Sequence, residues 1–194
     1  MELIGKTTIH PLLFFSGKIA GYIAFAALPV AMIIDWALAG QPVKPWQLTA
    51  LFPLALGLAL TVVSLVNLGA STRLGLPDSD TEFKSGGLYR FSRNPMYVGF
   101  DLLALSGALF THHPVVIGLC LFSMVNYHLI IRGEERFLHQ RFGEAYTAYC
   151  RRVGRYAGTR PDAGQPRILV YGAGAIGSTF AGMLLESGCD LTIL

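Results

Sequence analysis

The chain reads as an all-α integral membrane protein with about four transmembrane helices, a cytoplasmic amphipathic helix after them, and a short β-α-β fragment at the C-terminus. Three observations carry that reading. Of 194 residues, 53% are hydrophobic and only 14% charged, against about 25% charge in an ordinary soluble domain. Two apolar runs approach the ~20 residues that cross a bilayer core of about 30 Å. The basic residues fall in every second connection along the chain.

The first run covers residues 19–38, with Asp35 as its one charge near the end. The second covers residues 46–70 and carries no charge. Between them GQPVKP is a short polar turn with two prolines. A signal peptide is the rival reading of the first run, because Ala37-Leu38-Ala39 resembles a cleavage site. Its apolar stretch is too long for a signal core and Lys18 and Asp35 suit one poorly, so a retained helix is expected. Residues 96–110 and 115–131 form two shorter runs, about 22 and 25 Å as helices. The THHP turn between them, Thr111 to Pro114, makes them a helical hairpin inserted with little tilt.

Charge sets the orientation. Lys6 and Lys18 precede or open the first run, and the first connection holds only Lys44. The second holds Arg73, Lys84, Arg90 and Arg93, the hairpin turn none, and the sequence after Ile131 is rich in arginine. The N-terminus, the second connection and the C-terminal region are therefore expected in the cytoplasm. A net charge of +3 gives no reason to expect a nucleic-acid partner. Cys120, Cys150 and Cys189 lie far apart and odd in number. They make neither a disulfide framework nor a metal-ligand spacing, and no metal site is expected.

Two motif clusters fall on the cytoplasmic side. The first is SGGLYRFSRNPMYVG, residues 85–99. Gly86 and Gly87 mark a turn with free backbone amides. Pro95 drives Asn94 toward an extended backbone and can open the next helix. Tyr97 and Asp101 then lie four apart on one helix face. Arg90 and Arg93 have a plain role as positive-inside anchors, and Tyr89 and Tyr97 as interface aromatics. Asp101 has none, because it lies inside an apolar run where an ionisable group normally faces a cavity or a partner. About one turn of depth leaves interfacial solvation as its other explanation.

The second cluster is HLIIRGEERFLHQRFGEAYTAYCRRVGRY, residues 128–156. His128, Arg132 and Glu135 share a face if the fourth helix runs on beyond the membrane. Phe142, Tyr146, Tyr149, Val153 and Tyr156 then recur at alternating spacings of four and three, a packing stripe on an amphipathic helix, with Gly143 marking a bend. Glu134 and Glu135 are either a solvated pair balancing the arginines or acceptors in a site.

The two clusters together resemble the isoprenylcysteine carboxyl methyltransferase family and the related phospholipid N-methyltransferases over roughly residues 10–158. Gly87, Tyr89, Arg93, Pro95, Tyr97 and Gly99 match the first family motif. Glu134, Glu135, Phe142, Gly143, Tyr146 and Tyr149 match the second. The family's frequent His before Pro is Asn94 here. The resemblance implies S-adenosylmethionine as methyl donor, although the membrane part has no Gly-rich dinucleotide turn. It places Gly87, Leu88, Tyr89, Asn94, Tyr97, Glu134 and Glu135 at the cofactor and gives Arg93, Glu135 and Asn94 catalytic roles. Glu134 and Glu135 would accept from the ammonium and ribose. The amides near Gly87–Tyr89, with Arg93, would meet the carboxylate, and tyrosine faces suit a sulfonium. Methyl transfer is an in-line displacement in which positioning does most of the work. The implied acceptor is lipid-like or apolar and enters from the bilayer: a prenylcysteine carboxylate, a phospholipid amine or a small thiol. The sequence leaves the oligomeric state open.

Residues 167–194 depart from this pattern. A short apolar strand at 168–171 leads into Gly172, Gly174 and Gly177 as G-x-G-x-x-G, a helix at 176–186, and a second strand at 191–194. This order opens a dinucleotide-binding fold and resembles the start of ketopantoate reductase. Residues 159–166 read as a linker. An isolated β-α-β unit buries too little surface to stand as a site. It is therefore expected to be a truncation or a disrupted reading frame, with a clipped two-domain fusion as the alternative. Two further readings of the whole chain are a membrane-tethered NAD(P)-dependent oxidoreductase and a non-enzymatic membrane scaffold.

Overall fold

A computed structural model describes residues 9–68, 85–159, 168–170 and 191–193. Four α-helices follow in order: α1 (Pro11–Ile33), α2 (Leu51–Leu68), α3 (Pro95–Thr111) and α4 (Pro114–Arg152). Three of the four begin at a proline, whose fixed φ and missing N–H cost nothing in the first turn. α1 continues as one π-helical segment, Ile34–Leu38, and a 3-10 segment, Pro45–Ala50, leads into α2. Counting these extensions, three helical stretches among the described residues are long and apolar enough to cross a membrane: Pro11–Leu38, Pro45–Leu68 and Pro114–Arg152. α3 is a shorter apolar helix of 17 residues.

The boundaries differ from the sequence reading in two informative ways. α1 starts at Pro11 rather than near residue 19, because Phe14 and Gly17 are already buried against the bundle. α4 runs on to Arg152, 39 residues in all, where the apolar run alone reached residue 131. Its one non-helical residue is Gly143, at φ 52° and ψ −121°, so the bend expected there is present.

The outer faces are apolar. Leu12, Phe52, Val66 and Trp36 are each more than 70% exposed, a distribution suited to lipid rather than water. The inner faces are small. α2 packs along α3, and α1 packs against both α3 and α4. Ala24, Ala104, Ala108 and Cys120 form one buried cluster, with Ser64, Ser106 and Ser123 sealed among the helices. Such residues let helix backbones approach closely. Gly107 shows the limit: a Cβ there would run into the carbonyl of Ala24 on α1.

The end of the bundle between α1 and α2 is fastened by a buried side-chain amide. Gln47, 3% exposed, donates to Asp35 Oδ2 at 3.1 Å and accepts from the Lys44 amide at 2.7 Å. His112, in the left-handed backbone region that ends α3, meets the Trp46 ring edge-on at 4.4 Å between centroids.

Two short strands, β1 (Ile168–Val170) and β2 (Leu191–Ile193), pair in parallel with Ile168 opposite Leu191. The glycine turn and the helix expected between them lie outside the described residues, as does most of the 159–166 linker.

Candidate active site

The first motif folds as a 3-10 turn, Gly87–Arg90, that feeds α3. Gly87 has φ +60°, and a side chain there would strike Asn67 at the end of α2. A glycine thus satisfies both the backbone and the close approach. The Tyr89 amide already donates to the Gly86 carbonyl at 3.1 Å, so the free-amide expectation narrows to Gly87 and Leu88. The Tyr89 carbonyl accepts from the Tyr149 hydroxyl at 2.7 Å, which joins the two motifs. Burial pushes the Tyr89 phenol above its ordinary range, and the nearby Tyr149 and Glu134 push it the same way.

The adjacent glutamates have separate partners. Glu134, at the end of the motif nearest the bundle, accepts from the buried Tyr97 hydroxyl at 2.6 Å. Lys18 on α1 lies within electrostatic reach of it and rests its ammonium 4.1 Å from the centre of the Phe14 ring. Phe14 packs with Tyr97, Tyr127, Ile130 and Ile131, so α1 is part of the wall here.

Glu135 is held from two sides. Arg93 Nη2 lies 3.0 Å from Oε1, with both side chains only about a tenth exposed (11% and 9%). Arg155 reaches Oε2 through Nε at 2.9 Å and Nη2 at 2.7 Å. That hydrogen-bonded contact raises the Arg155 guanidinium above its ordinary value. Backbone contacts complete the clamp. The Arg93 amide donates to the Gly154 carbonyl at 3.0 Å, and the Asn94 side-chain amide donates to the Arg155 carbonyl at 3.2 Å. The segment after α4 therefore folds back over the first motif. A Gly154 to Gly158 hydrogen bond and a Val153–Thr159 bridge close that turn.

Tyr146, Tyr149 and Val153 form a buried cluster with Leu138 and Phe142 packed on it, as the stripe implied. Tyr156 leaves the stripe; it is 40% exposed and its hydroxyl bonds to His128 Nδ1. Arg132 does not share the buried face of Glu135: it is exposed while Glu135 is buried. Sequence reasoning missed Arg155 and Lys18 as members of this site. A buried carboxylate such as Glu135 calls for a cationic partner, but the chain offers eleven arginines and no spacing rule selects one.

The two motifs that resemble the membrane methyltransferases are thus brought together at one end of a bundle of apolar helices. The phospholipid methyltransferase family matches residues 46–145, and the chain belongs to that family. Methanethiol S-methyltransferase of a Pseudomonas species is 30% identical over 155 residues, which are 70% of this chain and 57% of that protein. The chain thus spans a little over half of that curated relative's length. No solved structure matches it.

Proposed function

We propose that this chain transfers a methyl group from S-adenosylmethionine to a small apolar thiol at the cytoplasmic membrane face. The observation that carries the reading is the convergence of Tyr97–Glu134 and Arg93–Glu135–Arg155 at one end of an apolar bundle. The relative's activity toward a thiol favours that acceptor over a prenylcysteine carboxylate or a phospholipid amine. Four spanning segments, with both termini in the cytoplasm, give the site a watery side for the cofactor and a lipid side for the acceptor. Residues 1–158 form the methyltransferase unit in this reading.

The residues fit the cofactor in kind. Arg93 Nε is buried without a hydrogen-bond partner, a donor left for a carboxylate. The amides of Gly87 and Leu88, which open the 3-10 turn, are further donors for such a carboxylate. Glu134, oriented by Tyr97, is an acceptor for an ammonium or a ribose hydroxyl, and the Tyr89 and Tyr97 rings suit a cation. Bound S-adenosylmethionine supplies an electrophilic methyl on a sulfonium. Glu135 and Asn94 act at one remove, by fixing Arg93 and the Gly154–Arg155 turn. Positioning of this kind is the main contribution expected for an in-line displacement.

Calorimetric titration of S-adenosylhomocysteine into the purified full chain tests the reading. Saturable binding is expected, weakened about tenfold or more by Glu134→Gln, as loss of one charge-assisted hydrogen bond would do. A folded chain that binds none of it would overturn the proposal. The parallel pairing of β1 and β2 favours a second, separate reading of residues 167–194 as the start of a dinucleotide-binding unit. Titration with NADPH in the same preparation tests that one.

A further inference from the structure

Every other carboxylate among the described residues has a partner. Asp35 meets Gln47, Glu134 meets Tyr97, Glu135 meets two arginines, and Glu144 meets Arg151. Asp101 has none, and its Oδ1 is sealed from solvent. It stands on α3 one turn beyond Tyr97 on the same face, about 9 Å along the helix from Pro95. Its surroundings are aromatic and weakly polar. Phe100 and Tyr97 both pack on Tyr127 of α4, with ring centroids 5.9 and 5.5 Å apart. Cys120, Tyr127 and Tyr156 lie within electrostatic reach of Asp101. None of these is a cation, so no neighbour compensates a carboxylate there. A group placed at such cost, without a structural partner, normally faces a substrate or a proton path.

We propose that Asp101 is the proton acceptor for the methyl-accepting thiol. This rests on the methyl-transfer reading above. A thiol is a poor nucleophile until it ionises, and the bundle interior disfavours spontaneous ionisation. The S–H bond breaks and its proton forms an O–H bond on the Asp101 carboxylate. The sulfur lone pair forms the new S–CH3 bond. The bond from methyl to the sulfonium breaks, and its electron pair remains on the departing sulfur, now a neutral thioether. The proton then passes from the Asp101 carboxyl to solvent, which regenerates the base. The same carboxylate explains how an uncharged thiol is selected from the bilayer: it carries a transferable proton where a hydrocarbon carries none.

The test compares wild type, Asp101→Asn and Asp101→Glu in the full chain, using two thiols of different acidity. 1-Butanethiol is protonated at neutral pH and 4-nitrothiophenol is ionised. Asp101→Asn is expected to slow methylation of 1-butanethiol by about a hundredfold or more. It should leave 4-nitrothiophenol within about threefold and S-adenosylhomocysteine affinity unchanged; Asp101→Glu should restore part of the 1-butanethiol rate. Equal losses on both thiols, or a loss of S-adenosylhomocysteine binding, would make Asp101 structural and overturn the proposal. A wild-type chain that binds S-adenosylhomocysteine but methylates neither thiol would also overturn it while leaving the cofactor reading intact. A wild-type chain that binds none would fail at the earlier step.

Discussion

The two ends of the bundle are fastened by different chemistry. At one end a neutral amide, Gln47, joins Asp35 to the Lys44 backbone, and Trp46 packs on His112. At the other a buried carboxylate, Glu135, draws in two guanidinium groups from segments on either side of it in sequence. A single hydrogen bond from a neutral amide is mild to lose. A buried ion pair contributes little net stability, yet it is severe when broken. The second arrangement therefore fixes geometry rather than adding stability, which is what a site that works by positioning requires.

Removing the carboxylate charge is the strongest way to break that contrast. Glu135→Gln leaves Arg93 and Arg155 facing a neutral amide, one of them nearly sealed. A destabilisation of about 3 kcal/mol is expected, less whatever water supplies to the more exposed Arg155, whose side chain is 36% exposed. Denaturant titration in mixed micelles reads it. Loss of protection from proteolysis in residues 153–159 should accompany it, because their carbonyl contacts depend on the same clamp. An effect no larger than that of a surface substitution would mean the clamp is a solvated pair.

Tyr97→Phe sharpens the comparison within the clamped end. It deletes one hydroxyl, keeps the ring against Tyr127, and releases Glu134 from a 2.6 Å bond. About 1.5 kcal/mol of stability is expected to go, as for a hydrogen bond to a charged group. S-Adenosylhomocysteine affinity should fall by up to about tenfold. The two glutamates can thus be separated: the Glu135 variant should act mainly on folding and the Tyr97 variant mainly on binding. Equal and parallel losses in both would show the adjacent residues working as one unit.

How much of this could be read from the sequence depends on the distance over which each feature is decided. The apolar runs, the proline start of α3 and the bend at Gly143 are local, and they stand close to where the pattern placed them; the start of α1 at Pro11 is not, because burial of Phe14 and Gly17 against other helices decides it. The pairing of the two motifs came from resemblance, and Tyr149 to the Tyr89 carbonyl is its physical form. The roles inside the site were not local. Glu135 read as either a charge balancing the arginines or an acceptor in a site, but its particular partners, Arg93 and Arg155, were not legible, and the latter arrives because Gly154 and Gly158 turn the chain back. Asp101 could be flagged from hydropathy, because an unpaired charge in an apolar run is a local anomaly. That it has no partner is a property of three packed helices.

Gln47→Ala probes the neutral end and carries the smallest expected effect. Gln47 is buried, but its partners are a backbone amide and an aspartate at a helix end. Water that enters the vacated space can satisfy both. A loss of about 1 kcal/mol is expected: a hydrogen bond to the Asp35 carboxylate goes, but water returns to that carboxylate and offsets much of it. S-Adenosylhomocysteine affinity should not change, because the substitution lies at the far end of α1 from Lys18 and Glu134. If affinity instead falls as far as it does for Tyr97→Phe, α1 transmits strain along its length and the two ends are not independent. Lys18, on the same helix and within reach of Glu134, would then be the residue through which the neutral end reaches the site.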